Sequence, residues 1–230
     1  MARTDGKTTD FDRGAESYDR WYDEHRPVYL SELRAVRAAL PRRGRGLEIG
    51  VGTGRFASAL GIKTGVEPSA AMAALARGRG IEVRRARAGK LPFPDNAFAF
   101  ALIAAALCFV RRPAAALKEA RRVIRPGGRL ALAIMDRDSP AGMEYWRKRS
   151  GRPFYRGARP LGAAGAAALL KELGFGRIRA FQTLFSQPEA VKKPEPARPG
   201  SGEGIFVVFS AVKAERRPPG AGGGTKRRLK

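Results

Sequence analysis

Three glycines at alternate positions, Gly50, Gly52 and Gly54, lie between a short apolar segment that ends at Ile49 and a helical pattern that begins at Arg55. Glycine lets the backbone approach a ligand where a Cβ atom would collide with it. The unpaired N–H groups at the start of the following helix favour a carboxylate or another electron-rich group. The pattern therefore predicts a strand, a ligand-binding turn and a helix.

A carboxylate, Glu67, follows the next apolar segment. An acid at this position accepts two hydrogen bonds from a ribose diol, which is the plan of a nucleoside-binding α/β domain. The dinucleotide fingerprint G-x-G-x-x-G/A fails when it is started at Gly50, because Arg55 occupies its last position. Started at Gly52, the fingerprint ends on Ala57 and passes, although the spacing to Glu67 is shorter than the roughly 20 residues of a dinucleotide site. From these residues alone NAD or FAD stays an alternative.

An aromatic face is predicted near the N-terminus, where Tyr18, Trp21, Tyr22 and His25 recur at helical spacing. Such a face either packs on the domain or forms a lid that shields a reacting centre from water. Trp21 and Tyr18 are candidates for contact with an acceptor. His25 is the single histidine of the chain, and we interpret it as a structural or surface group rather than a catalytic base.

Alternating strand and helix patterns continue from the glycine turn to the end of the domain, which favours a parallel, doubly wound α/β sheet. Residues 136–160 interrupt this rhythm with aromatic side chains among arginines, and we predict an insertion beside the carboxyl ends of the strands, where α/β sites lie. Asp136 at the end of the fifth strand, Tyr155 in the insertion and Cys108 after the fourth strand are further acceptor-binding candidates. None of them is a convincing general base, because Asp136 can equally cap the following turn.

The length and composition predict one domain over residues 11–213, with a helical lid over 11–40, a flexible N-terminus over 1–10 and a disordered basic tail over 214–230. The single cysteine excludes an intrachain disulfide and a cysteine-based zinc site, and no metal site is expected. The start of the chain has no signal-peptide pattern, so we expect a cytoplasmic protein without a membrane-inserted segment.

The net charge of +24, from 45 Lys and Arg against 21 Asp and Glu, would attract nucleic acid, anionic lipid or acidic metabolites. The arginines are scattered along the chain, which indicates a general compositional bias more than one binding groove. A nucleic-acid partner is therefore the less favoured interpretation, and a neutral or acidic small molecule is the favoured one.

Four segments together carry a family resemblance: Leu47–Gly54, Gly65–Ser69, Leu91–Phe98 and Glu119–Gly128. In this order they resemble class I S-adenosylmethionine-dependent methyltransferases, closest to the small type-11 enzymes related to ubiquinone and menaquinone C-methyltransferases. The resemblance favours S-adenosylmethionine over NAD as the cofactor. It implies a Rossmann-like, doubly wound, seven-stranded sheet whose last strand is antiparallel.

The resemblance also implies which residues bind the cofactor. Glu48 and the loop of Gly50, Val51, Gly52 and Gly54 would hold its methionine end. Glu67, followed by Pro68, would take the ribose hydroxyls, and Arg87 and Ala88 would flank the adenine. Arg87 stands where the family often has an acid that accepts a bond from the adenine amino group, and arginine cannot accept one.

The function expected from this resemblance is in-line methyl transfer to a small-molecule acceptor, in which the protein mainly aligns the reacting atoms. Two alternatives are an RNA or protein methyltransferase, suggested by the charge, and a non-catalytic module that binds the cofactor or nucleic acid. The side chains expected at the acceptor are Tyr18, Trp21, His25, Cys108, Asp136 and Tyr155.

Overall fold

The computed structural model describes residues 6–149 and 151–214, in which strands and helices alternate. The strands are β1 (Gly46–Ile49), β2 (Thr64–Val66), β3 (Glu82–Arg84), β4 (Phe98–Ala104), β5 (Ile124–Met135), β6 (Phe175–Thr183), β7 (Arg198–Pro199) and β8 (Phe206–Lys213). The helices are α1 (Gly6–Arg13), α2 (Ala15–Glu24), α3 (Arg26–Ala39), α4 (Arg55–Leu60), α5 (Ala70–Gly78), α6 (Pro113–Val123), α7 (Pro140–Arg149) and α8 (Ala163–Glu172). Short 3₁₀ turns occur at Leu107–Phe109, Pro153–Tyr155 and Pro188–Ala190.

The strands form one sheet in the order β3-β2-β1-β4-β5-β8-β6-β7. Strands β1 to β5 pair in parallel, and β8 runs antiparallel between β5 and β6. This arrangement confirms the predicted Rossmann-like fold and its antiparallel last strand. The sheet has eight strands rather than seven, because Arg198–Pro199 adds a two-residue edge strand to β6. Pro199 has no N–H to donate, which restricts such a strand to the edge of a sheet.

Both faces of the sheet are covered, which explains why β4 is apolar along its whole length. Phe100 and Leu102 pack on one face, in a core cluster with Val36 of α3. Ala101 and Ile103 pack on the other face against α6 and α8. The alternation of side chains along the strand thus divides a continuous apolar run between two core clusters.

Some element boundaries differ from the sequence-based expectation. The fifth strand begins at Ile124, before the Pro126-Gly127-Gly128 turn, because Ile124 already pairs with Phe98 and the residues after it bulge out of the ladder. Helix α1 makes residues 6–10 helical rather than irregular. The remainder of the predicted flexible N-terminus, residues 1–5, and residues 215–230 of the predicted tail lie outside the described residues. No helix in the described ranges is long and apolar enough to span a bilayer.

The N-terminal helices and the segment after β5 meet above the carboxyl ends of the parallel strands. The ring of Phe11 lies 5.8 Å from that of Phe154 and 5.1 Å from that of Phe109, between centroids. The ring of Tyr18 lies 5.9 Å from that of Phe154. Aromatic contacts of this kind add about 0.5–1.5 kcal/mol each beyond burial. They hold α1 and α2 against residues 151–159.

Glu32 is a buried carboxyl group on the inner side of α3 without an ionic partner among the described residues. The side chain of Glu32 on α3 is 5% exposed, and among the described residues it forms no ion pair or side-chain hydrogen bond. Burial raises the pKa of Glu32 to about 8, because a low-dielectric surrounding disfavours the charged form. At neutral pH the group is therefore mostly protonated.

We expect Glu32→Gln to change how stability depends on pH. Between its unfolded value of 4.5 and about 8, the folded protein keeps a proton that the unfolded chain releases. The contribution of Glu32 to the free energy of unfolding is fully present below pH 4.5 and is lost as the pH rises through about 8. Urea unfolding should show that the variant gains about 2–4 kcal/mol relative to wild type between about pH 5 and about pH 9. The exposed Glu172→Gln serves as the control, and parallel curves for wild type and Glu32→Gln would contradict the expectation.

Candidate functional site

A cavity of about 580 Å³ opens at the carboxyl ends of β1, β2 and β4. Its walls come from the turns after these strands, from the N-terminal helices and from the segment around Arg159. The volume is in the range of small-molecule sites.

The glycine turn forms one wall and is tied to the neighbouring strand. The N–H groups of Gly50 and Val51 both donate to the carbonyl oxygen of Val66, at 2.8 and 3.0 Å. Gly52 has φ +55°, and a Cβ added to it would meet no protein atom within 4 Å, so this position faces open space. Gly54 has φ +86°, and a Cβ there would lie 3.0 Å from Ala76. The absence of a side chain at Gly52 therefore leaves room in the cavity, whereas its absence at Gly54 allows α4 to pack closely on α5.

Glu67 lies opposite this turn and is held by two backbone donors. Its Oε2 accepts from the N–H of Gly52 at 3.0 Å, and its Oε1 accepts from the N–H of Ser69 at 2.9 Å. Burial raises the pKa of Glu67, and these two hydrogen bonds oppose the increase. Each carboxylate oxygen has a second lone pair for a ligand hydroxyl. The carboxylate is thus fixed in direction and lines the cavity.

The N-terminal helices are attached to this wall by two aspartates. Asp12 accepts a short hydrogen bond from the hydroxyl of Ser69 and another from the N–H of Ala71 at 3.2 Å. Because the N–H of Ser69 holds Glu67, Asp12 supports the residue that positions the carboxylate. Burial by itself would raise the pKa of Asp12, but the hydrogen bonds from the Ser69 hydroxyl and the backbone donors outweigh it and lower the pKa.

The second aspartate, Asp19, binds the helix that follows the glycine turn. It pairs with Arg55 at 2.8 Å and with Arg79 at 2.7 Å, and Arg79 also donates to the carbonyl oxygen of Thr53 at 2.9 Å. Partial burial alone would raise the pKa of Asp19, but the bonds from Arg55, Thr53 and Arg79 lower it to about 2. Helix α2 therefore stays ionically attached beside the turn throughout the physiological pH range.

The structure brings together eight of the residues that the sequence singled out. The following line the cavity: Tyr18, Gly50, Gly52, Glu67, Pro68, Arg87, Ala88 and Cys108. The thiol of Cys108 contacts the carbonyl oxygen of Ala105 at 3.5 Å. The cavity therefore contains residues predicted at the ribose, the adenine and the methionine end of the cofactor, together with Tyr18 of the predicted lid.

The other predicted cofactor residues lie behind the cavity wall. Glu48 is 1% exposed, its Oε2 has no hydrogen-bond partner, and burial raises the pKa of Glu48 well above its ordinary value. Val51 packs against Gly65, where a Cβ would come within 2.8 Å of its side chain. Like Gly54, these residues shape the turn from behind. None of the three lines the cavity, and we propose that they support the turn that borders the methionine end.

Four of the predicted acceptor residues also lie outside the cavity walls. The ring of His25 stacks on Trp21 at 4.4 Å, and its Nδ1 contacts the carbonyl oxygen of Trp21 at 3.0 Å. Asp136 is 1% exposed, and its Oδ1 accepts from the N–H groups of Asp138 and Ala163. Asp136 thus joins the end of β5 to the start of α8.

Tyr155 is the fourth of these residues, and its hydroxyl lies 2.7 Å from that of Tyr145. The phenol is therefore directed to a partner on α7.

Several cavity residues were not predicted individually, although their segments were. Phe11 belongs to the predicted lid and Arg159 to the predicted insertion, while Phe109, Arg111 and Arg112 follow β4. The N–H of Arg159 donates to the carbonyl oxygen of Cys108 at 2.7 Å. The residue pattern gives no indication of this contact, because the two residues lie far apart in the sequence.

Comparisons with known proteins identify the fold and the family. A family model for a methyltransferase domain matches residues 47–132. A protein of Thermotoga maritima, whose crystal structure is described as a SAM-dependent methyltransferase and possible histamine N-methyltransferase, is 46% identical to this chain, with a TM-score of 0.86 over 89% of this chain and 99% of that one.

The chain belongs to the S-adenosylmethionine-dependent methyltransferases.

Two further proteins are similar to this chain. An uncharacterized protein of Methanocaldococcus jannaschii is 46% identical over 203 residues, which cover 88% of this chain and 98% of that protein. A stretch of 53 residues is 51% identical to the ubiquinone/menaquinone biosynthesis C-methyltransferase of Hahella chejuensis, covering 23% of this chain and 21% of that enzyme. The predicted type-11 resemblance is confirmed, and S-adenosylmethionine is the cofactor that the family uses.

The residues of this methyltransferase fit that cofactor. The fixed carboxylate of Glu67 suits a diol, and the open space at Gly52 leaves room for a ligand against the backbone. We propose that Glu67 holds the ribose, that Gly50 and Gly52 border the methionine end, and that Ala88 borders the adenine.

Gly52→Ala should weaken cofactor binding, and Gly61→Ala provides a matched control. Both glycines have positive φ, and neither has a protein atom within 4 Å of an added Cβ, so both variants pay a similar cost of about 1–2 kcal/mol in stability. Only the methyl group at Gly52 enters the cavity. Calorimetry with S-adenosylhomocysteine should show at least about a tenfold weaker Kd for Gly52→Ala alone. Equal affinities would contradict the placement of the cofactor against this turn.

Asp12→Ala should also weaken binding of S-adenosylhomocysteine, by about tenfold. The substitution removes the acceptor for Ser69 and Ala71, so Glu67 loses its support and the N-terminal helices lose an attachment. Asp10→Ala on the same helix leaves these contacts intact and is the control. Calorimetry measures affinity, and hydrogen exchange over residues 11–24 measures the attachment. Unchanged exchange in Asp12→Ala would show that this contact does not hold the lid.

Proposed function

We propose that this methyltransferase transfers the methyl group of S-adenosylmethionine to a neutral or anionic small molecule. The observation that carries the proposal is the composition of the cavity walls. Aromatic rings of Phe11, Tyr18 and Phe109 line them, as expected for a site that shields a small molecule from water.

Charge on the cavity walls supports the anionic class. Four arginines line the cavity: Arg87, which is expected beside the adenine, and Arg111, Arg112 and Arg159. Glu67 is the one carboxylate among the described lining residues. Because both oxygens of Glu67 accept backbone hydrogen bonds and are assigned to the ribose, little negative charge is left for a cationic acceptor. Arginine pairs well with carboxylate or phosphate groups.

This preference differs from the acceptor suggested for the Thermotoga maritima relative, which is described as a possible histamine N-methyltransferase. Histamine carries a positive charge at neutral pH, and the positive charge of the arginines that line the cavity would disfavour it. We therefore place histamine-like amines below carboxylated acceptors of the same size.

The net charge of +24 favours a second candidate, methyl transfer to RNA. Among the described residues, Arg42 and Arg43 precede β1 at the amino end of the sheet, whereas Arg111 and Arg159 lie at the carboxyl end. Basic groups at opposite ends do not form one groove, so this candidate ranks second. Retardation of RNA at low salt with a steep salt dependence would raise it.

The chain would contribute chiefly alignment. The bound cofactor supplies an electrophilic methyl group and an uncharged thioether leaving group. Glu67 and the glycine turn would orient the adenosyl portion, and the aromatic walls would exclude water and hold the acceptor. Orientation of this kind lowers the activation barrier by up to about 7–11 kcal/mol in the best cases.

The test uses acceptors that differ mainly in charge: 4-imidazoleacetate against histamine, and 4-hydroxyphenylacetate against tyramine. Formation of S-adenosylhomocysteine, measured by mass spectrometry, should be about tenfold faster for the carboxylate of each pair. Arg159→Ala should reduce that preference, and Arg43→Ala at the opposite end of the sheet should not. A preference for the amines would overturn the acceptor class, and no turnover with any small molecule would overturn the function.

A further inference from the structure

The amino edge of the sheet, opposite the cavity, carries a group of basic side chains. Strands β1, β4, β5 and β6 begin at this edge and β8 ends there, because β8 runs antiparallel to its neighbours. Residues that are scattered along the sequence therefore meet at one edge of the fold. We call the following residues the amino-edge band: Arg45, Arg121, Arg125, Arg129, Arg177, Arg179 and Lys213.

Contacts at the middle of the edge place members of the band side by side. The Nζ of Lys213 donates to the carbonyl oxygen of Ile124 at 2.6 Å, so the ammonium group lies next to the residue that precedes Arg125. The guanidinium of Arg45 lies over the ring of Phe98, 5.0 Å from its centroid. Phe98 in turn pairs with Ile124 in the sheet. These three cations thus converge on one backbone pair.

Other members of the band extend it to β6. The Nε of Arg121 donates to the carbonyl oxygen of Gly174, just before this strand, at 3.4 Å. Arg129 donates to the hydroxyl of Ser210 at 2.6 Å, and Arg179 stands opposite Ser210 in the register. Burial, and after it the charge of Arg179, lowers the pKa of Arg129. Because like charges held near each other repel, an anion bound beside them is favourable.

Carboxylates do not cancel this charge. In the described ranges, the acids on the segments beside the band are Asp95, Glu119 and Glu172. Asp95 and Glu119 both pair with Arg122, at 2.8 and 2.7 Å, and Glu172 is an exposed residue at the end of α8. Four members of the band are exposed to solvent: Arg45, Arg125, Arg177 and Arg179.

The length of the band indicates an extended anion. It crosses five neighbouring strands, β1, β4, β5, β8 and β6, which corresponds to about 19 Å at the usual strand spacing. A single phosphate or carboxylate would contact only part of it, whereas a chain of phosphates would follow its whole length. Six of its seven members are arginines, whose planar guanidinium groups match phosphate oxygens in pairs.

The composition of the edge favours a nucleic-acid duplex over other polyanions. Membrane-binding surfaces combine basic groups with apolar side chains that enter the bilayer, and single-strand sites stack bases on aromatic rings. Among the described residues, the large apolar side chain that is exposed is Met143 on α7, after the carboxyl end of β5. A duplex presents its phosphates outward and needs no apolar contact.

We propose that the amino-edge band binds the phosphate backbone of double-stranded nucleic acid without reading its sequence. This binding is separate from methyl transfer, because the cavity opens at the carboxyl ends of the strands. A duplex held at the amino edge leaves the cavity accessible to the cofactor and to a small acceptor. The band is thus a docking surface, and the nucleic acid is not the methyl acceptor.

The test is fluorescence anisotropy with a labelled DNA duplex of about 20 base pairs at increasing salt concentration. A variant with Arg125→Ala, Arg177→Ala and Arg179→Ala removes three exposed charges of the band. It should raise the Kd at least about tenfold and reduce the slope of log K against log salt by about three.

The control variant removes the same number of charges at the cavity, through Arg111→Ala, Arg112→Ala and Arg159→Ala. It should change the Kd less than about twofold. Equal losses in the two variants would show a general attraction to the net charge and overturn the proposal. A loss in the control alone would place the nucleic acid at the cavity and overturn it as well. So would binding of phosphatidylserine vesicles, but not of the duplex, that the band variant loses.

Hydrogen exchange of the wild type supplies an answer even where a variant does not fold. The duplex should protect residues 42–46, 124–129 and 175–180, and not residues 105–112 or 157–162. Protection confined to the latter ranges overturns the proposal. Saturation with the duplex should leave the Kd for S-adenosylhomocysteine within about twofold of its value without the duplex, and competition between the two ligands would overturn the separation of the sites.

Discussion

The hydrogen bond from the N–H of Gly52 to the carboxylate of Glu67 is the contact on which the candidate site depends. It exists because β1 and β2 pair in parallel, with Glu48 opposite Gly65 and Ile49 opposite Val66, so that the turns after both strands leave the sheet at the same edge. The bond makes the glycine turn and the carboxylate a single rigid surface. Without this bond, Glu67 would keep only the N–H of Ser69 as a backbone donor.

The N-terminal helices extend this surface and complete the cavity. Their aspartates contact the two cofactor-facing turns, and their aromatic side chains contact the residues after β4 and β5. The same two helices, α1 and α2, therefore both contact the turns and cover the cavity. In a chain of net charge +24, these acids are paired with arginine or backbone donors and do not offset the arginines that line the cavity.

The residue pattern predicted most of the scaffold and part of the site. The glycine turn, Glu67 and the parallel sheet follow from local spacing and from the topology of α/β folds, which bring successive strand ends to one edge. Asp136 and His25 show what spacing leaves open: Asp136 accepts from the N–H of Ala163 at the start of α8, and the ring of His25 stacks on Trp21. Position along the chain indicates where a residue lies, but not which partner its side chain selects.

The sequence by itself predicted the fold class and the two turns expected to hold a nucleoside cofactor, because these depend on backbone geometry, apolar alternation and a few residue types at short spacing. The choice of S-adenosylmethionine over NAD came from the family resemblance. Only the tertiary structure decided which side chains face the cavity and which lie behind it. It alone revealed the buried Glu32 and the arginines that line the cavity. These groups come from segments far apart in sequence, and their burial and proton affinity arise from packing, which no local pattern records.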